Sequence, residues 1–183
     1  MRYLNAFLLA LAAPLLIAAA DSAVEQRGEL SAPQDHMVPF AWMVGEWQGE
    51  GWMLAPNGER LSFESQEIVS SRLSGAALLV EGRHHEPGHS DRVVHDAMAM
   101  ITWDAGANEY RFRTALANGR GGNFLLQPTN EGFNWRMDTP RGQIVYTIEH
   151  DDGVWTERGE IIEPGGRSIE IFGMTLHKSN VSD

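Results

Sequence analysis

The densest group of chemically able side chains lies in residues 84–96, where His84, His85, His89 and His95 are interspersed with Glu86, Asp91 and Asp96. Imidazole and carboxylate are ligands that zinc and copper accept. The spacing works against a metal, because His84 and His85 are neighbours in an extended segment and point to opposite faces, and no His-x-x-x-His helix is present. The segment reads as a solvated, acidic, His-rich loop, and no metal is expected. Nucleophile signatures are absent too: there is no Gly-x-Ser-x-Gly elbow, no His-Glu-x-x-His and no phosphate-binding loop. Gly119-Arg120-Gly121-Gly122 is glycine-rich, but it lies between two strand patterns instead of opening a helix, so it reads as a hairpin. Glu64 and Glu67, and Asp151 and Asp152, read as solvated strand and turn residues. No catalytic residue is singled out.

The other resource is aromatic and sulfur surface. Six Trp, seven Phe, three Tyr and eight Met exceed the needs of a minimal core, and such side chains line ligand cavities. The candidate lining is Trp52, Met98, Met100, Tyr110, Phe112, Trp135, Tyr146 and Trp155, with Arg113 or Arg136 as a polar anchor for a carboxylate. Plain core packing is the competing role for each of them.

These residues must be positioned by strands. After Gly45 the dominant signal is short runs of period two separated by turn chemistry, such as Pro56-Asn57-Gly58, Asn118-Gly119, Asp151-Asp152-Gly153 and Pro164-Gly165-Gly166. Ten strands are expected, over 46–54, 60–70, 76–85, 97–103, 110–117, 123–127, 133–138, 143–150, 154–162 and 168–177. Alternation defines two faces: Tyr110, Phe112 and Thr114 oppose Arg111 and Arg113, and Phe133, Trp135 and Met137 oppose Asn134, Arg136 and Asp138. Consecutive hairpins make an antiparallel meander, and one this long removes its edges by closing into an all-β, up-and-down barrel, with a two-sheet sandwich as the alternative. Ahead of it, residues 38–44 around Pro39 suit about two helical turns ending at Gly45, a lid or plug for one mouth.

The opening Gly45-Glu46-Trp47-Gln48-Gly49-Glu50-Gly51, placed after a short helix, resembles the start of lipocalin-like barrels of the calycin kind. The likeness is to small bacterial barrel domains of unknown function and, more distantly, to nitrobindin, the haem-binding ten-stranded barrel. It runs over roughly residues 38–178 and includes the later Thr102-Trp103-Asp104 and Tyr110 hairpin. The resemblance implies a barrel whose relatives are carriers, haem proteins and a few enzymes. Nitrobindin's haem ligand lies on a strand near its C-terminus, so the resemblance implies His177 as the one candidate haem ligand, and haem as the only cofactor to look for. The glycines have their own reading: Gly49 and Gly51 share a face with Trp47 and mark a sharp bend or the close approach of another backbone. Trp47 is then a packing residue that plugs one barrel end.

The address is written at the N-terminus. Residues 1–20 carry Arg2, an apolar run over 6–20 and small residues Ala18 and Ala20 before Asp21, the pattern of a cleaved secretory signal. The apolar run is shorter than the roughly 20 residues of a membrane span. Cleavage would remove one of the 14 basic residues and none of the 25 acidic ones, so nucleic acid and stable membrane anchoring are not expected partners. The absence of Cys suits an oxidising compartment and leaves out disulfides, iron–sulfur clusters and cysteine nucleophiles. A polar tail over 21–34, a domain over 35–178 and a short tail over 179–183 complete the organisation. The expected function is a periplasmic or secreted barrel that holds a small apolar or amphipathic molecule. The alternatives are an enzyme on the same scaffold (a haem protein using His177, or a cofactor-free lyase, isomerase or cyclase) and a solid-cored accessory domain.

Overall fold

A computed structural model describes residues 32–179, so the expected signal segment lies outside the described residues. Ten strands follow one 3-10 helix, Asp35–Met43. They are β1 (Gly45–Leu54), β2 (Arg60–Arg72), β3 (Ala77–Glu86), β4 (His89–Asp104), β5 (Glu109–Leu116), β6 (Gly121–Pro128), β7 (Gly132–Thr139), β8 (Gly142–Asp151), β9 (Val154–Ile162) and β10 (Ser168–Lys178). Each pairs antiparallel with the next, and β1 closes the cylinder on β10 through pairs such as Gly49 with Leu176 and Gly51 with Met174. Closure leaves no strand edge unpaired, which is why the meander is not a sandwich.

Two elements differ from expectation. The helix starts at Asp35 and is 3-10 throughout, with Pro39 inside it; Pro has no N–H to donate and suits short, tight pieces. Strand β4 begins at His89, eight residues earlier than the pattern suggests, because Pro87-Gly88 reverses the chain and His85 pairs with Val93, and Glu86 with His89. The His-rich segment is thus a long hairpin and not a loop.

One end of the barrel is solid. Met37, Phe40 and Met43 of the helix are buried with Trp47, Ile101, Phe133, Ile148 and Leu176. Phe40 lies edge-on to Tyr110 at 5.0 Å and to Phe133 at 5.7 Å, and Trp42 stacks on His150 at 4.5 Å. Three strands pin the helix by hydrogen bonds to its carbonyls: Trp47 Nε1 donates to Met43 O (2.7 Å), Tyr110 Oη to His36 O (2.7 Å) and Lys178 Nζ to Trp42 O (3.2 Å). Trp47→Phe removes one of these bonds and part of a fully buried ring, so it is expected to cost about 1–2 kcal/mol in urea unfolding.

Candidate functional site

The other half of the barrel interior is not all apolar. Along β2 the inward positions are Phe63, Ser65, Glu67 and Val69, and along β3 they are Leu78, Val80, Gly82 and His84. Ser65, Glu67 and His84 are 5%, 6% and 4% exposed. Register sets Ser65 beside His84, and Glu67 beside Gly82. Glu67 takes the space that a side chain at 82 would need, since a Cβ there would sit 2.6 Å from both carboxyl oxygens. His84 Nε2 lies 3.3 Å from Glu67 Oε1. The His84 ring stacks on Phe63 at 4.3 Å, and its cross-strand partner His95 is at 5.0 Å. From β9, Glu157 enters between inward-facing Trp155 and Gly159, and it has no hydrogen-bond or ion-pair partner among the described residues.

Burial sets the chemistry of this group. It pushes the Glu67 carboxyl from 4.5 up to about 8. Glu157 is also raised to about 8, first by burial and then by the charge of Glu67, so the two carboxyls feel one another. His84 is lowered to about 4 by burial and by neighbouring His85, and Tyr146 is raised to about 12 by burial and by Glu157. Removing a charge from water favours the neutral form of acid and base alike, and two carboxyls in one field cannot easily both ionise. Near neutral pH the group therefore offers carboxyls that exchange protons readily and an uncharged imidazole. Two of its atoms, Ser65 Oγ and His84 Nδ1, are buried with no hydrogen-bond partner, a state native interiors rarely leave uncorrected. Among the described residues no three His, Asp or Glu side chains are arranged to hold a metal ion.

Aromatic rings continue from this group around the wall. Phe63 faces Phe172 at 5.7 Å, Phe172 meets Tyr146 at 5.9 Å, Tyr146 stacks on Trp135 at 4.4 Å, and Trp135 contacts Phe124 at 4.9 Å and Phe112 at 5.2 Å. Glycines let these rings lie flat against the wall. Phe63 covers Gly51, and Tyr146 covers Gly159, where a Cβ would come within 2.7 Å of the ring. Phe112, Trp135, Tyr146 and Phe172 point into the barrel, pack against the buried core and are only partly buried.

Of the candidate residues named from sequence, Tyr110, Phe112, Trp135, Tyr146 and Trp155 face inward, Tyr110 and Trp155 at the plugged end and the other three along the partly buried aromatic wall. The placement of the rest differs from that reading. Met98 and Met100 are 50% and 37% exposed on the outer face, because Ala99 and Ile101 take the inward positions. Trp52 lies outside over Gly173, with the Arg60 guanidinium 3.7 Å above its ring. Arg113 donates to Thr102 Oγ1 at 2.7 Å on the outer face, and Arg136 is exposed, since Phe112 and Trp135 occupy the inward parity. His177 is exposed beside buried Leu176, so its imidazole points away from the lumen and does not fit a haem held there. Glu67 and Glu157, by contrast, are interior groups, and Glu67 is not the solvated strand residue that the pattern suggested.

Two depressions of about 520 Å³ each lie on the outer wall, one across Gln66, Ile68, Glu81 and Met98, the other across Glu50, Trp52, Ser62 and Arg158. They are open grooves, and the charged pair in the first, Arg83 with Asp96 at 3.2 Å, is an ordinary exposed ion pair. The interior group is the candidate site because its polar atoms are buried and incompletely satisfied.

No protein-family model and no curated protein matches the chain. Several solved structures resemble it, two of them as follows. Rv2717c from M. tuberculosis superposes with a TM-score of 0.60 at 10% identity, covering 81% of this chain and 99% of that one. The S-type phycobiliprotein lyase CPES from Guillardia theta superposes with a TM-score of 0.51 at 10% identity, covering 79% and 92%. Likeness at this identity carries fold and not activity, and with the closed ten-strand register it establishes the fold: this chain is a lipocalin-like, calycin-type antiparallel barrel.

Proposed function

We propose that the barrel is an exported, periplasmic or secreted protein that binds a small, mainly apolar molecule in its lumen. The apolar body would lie along Trp135, Tyr146, Phe172 and Phe63, and a polar end would meet Glu67, His84 and Ser65. The observation that carries this reading is the pair of buried, unpartnered atoms, Ser65 Oγ and His84 Nδ1, at the end of a partly open aromatic wall. Affinity would come from apolar ligand area leaving water, at about 25 cal/mol per Å², with the polar end fixing orientation. The helix plug makes the opposite end the mouth.

Titration with a neutral aromatic alcohol such as naphthylmethanol is expected to quench tryptophan emission saturably, because Trp135 borders the lumen. Trp135→Ala is expected to weaken that binding about tenfold. A linear, non-saturating response, or equal affinity in the variant, would count against the reading. A second reading, a cofactor-free lyase or isomerase, is favoured by one observation: a carboxyl raised to about 8 beside an imidazole 3.3 Å away is suited to moving a proton near neutral pH.

A further inference from the structure

Two carboxyl groups face the barrel interior, buried Glu67 and half-buried Glu157, and among the described residues no arginine or lysine pairs with either. The arginines of the wall, Arg83, Arg111, Arg113, Arg136 and Arg158, alternate to the outer face. The inward-facing Lys178 caps the plugged end over the Trp47 ring, 5.2 Å from its centroid. Glu67 faces Trp47 from β1 and His84 from β3, with His95 of β4 behind His84, and Glu157 of β9 is felt by Glu67 and by Tyr146 of β8; each of these groups is neutral or acidic. A buried carboxylate without a countercharge is costly, and two in one field more so. The protein alone resolves this by keeping protons on them.

We propose that the lumen ligand carries a basic nitrogen, an organic amine or amidine whose cationic end sits between Glu67 and Glu157. This rests on the lumen-binding reading above and names its ligand class. Hydrogen-bond polarity agrees. Once Glu67 is ionised, His84 donates from Nε2 to Oε1, and its tautomer leaves Nδ1 as an acceptor. Ser65 Oγ, His84 Nδ1 and the carboxylate oxygens then all accept, which suits an ammonium or amidinium with several N–H donors. The aromatic faces of Phe63, Phe172 and Tyr146 attract the same charge. An anion could enter only while both carboxyls keep their protons, and a neutral molecule would likewise leave the carboxyls in need of them.

Three probes with one apolar body separate the cases: naphthylmethylamine, naphthylmethanol and naphthylacetate. At about pH 8 the amine is expected to bind at least about tenfold more tightly than the alcohol, and the acetate most weakly. Amine binding is expected to release protons, seen as a calorimetric heat that changes with buffer ionisation enthalpy. Its dissociation constant should fall up to about tenfold per pH unit for each proton released between about pH 6 and pH 8. The double substitution Glu67→Gln with Glu157→Gln is expected to abolish the amine preference and the proton release while alcohol binding persists, which also shows that the lumen is intact. Equal affinity for amine and alcohol, or a preference that survives the double substitution, would overturn the proposal and leave the lumen reading standing. Failure of all three probes to bind would overturn both.

Discussion

Replacing Glu67 by Gln is expected to make the barrel more stable at pH 9 by on the order of 3–5 kcal/mol while changing it little near pH 4. Unfolded, this carboxyl loses its proton near 4.5; folded, it holds it to about 8. Between those values the folded state binds more protons than the unfolded one, so stability is fully present below 4.5 and is lost as pH rises to about 8. Gln carries the shape of the neutral carboxyl at every pH and so escapes the loss. Glu157 adds a slope of the same sign over the same window, and because the two groups interact, the effects of the two substitutions will not add. His84 acts in the opposite direction and lower on the scale. Lowered to about 4, it stays neutral while the unfolded imidazole takes up a proton below 6.5, so stability falls as pH drops from 6.5 to 4. The wild-type curve should bend down on both sides, and Gln should remove only part of the alkaline limb. Urea midpoints measured from pH 4 to pH 9 decide this, and a variant that tracks wild type throughout would mean that Glu67 is hydrated.

The strands were legible because their signals are local. A turn such as Asn118-Gly119 needs positive φ at the glycine, Gly119 has φ of 80°, and the apolar alternation on either side sets the pleat. Where the first residues of β4 become strand through pairing with β3 and not through their own pattern, the sequence carried no signal: Asp91-Arg92-Val93-Val94 has no alternation. The interior carboxyls were hidden for a different reason. Glu67 shares parity with Phe63 and Val69, but apolar Ile68, 37% exposed, lies on the other face while Leu61 on the inward parity is 50% exposed, so apolar residues do not mark one face of β2 cleanly and a shift of one residue exchanges the faces. The same ambiguity moved Met98 and Met100 outward, where small Ala99 and Ile101 were the true interior residues. Glu157 was findable in principle, since Trp155, Gly159 and Ile161 share its parity and all three are buried. What no pattern along one strand reveals is that residues from β2, β3 and β9 meet across the lumen.

Gly49→Val is expected to prevent folding or to cost more than about 3 kcal/mol, whereas Gly165→Ala should stay within about 0.5 kcal/mol. Both are glycines without a positive φ, so conformational freedom does not separate them; space does. A Cβ at 49 would run into the Thr175 carbonyl oxygen and reach 3.0 Å from Leu176 Cα, while one at 165 would meet nothing within 4 Å. The obstruction at 49 is backbone, which no rotamer change relieves, and it lies in the β1–β10 pairing that closes the cylinder. Separating those strands frees two edges and disturbs Trp47, two residues away in the plug. The damage is therefore not confined to one contact: loss of closure opens the lumen sideways and removes the shelter that keeps Glu67 and Glu157 protonated. Equilibrium unfolding of the two variants side by side tests this. A Gly49→Val barrel as stable as wild type would show that β10 can shift away from β1 without cost, and that the seam does not fix the geometry of the site.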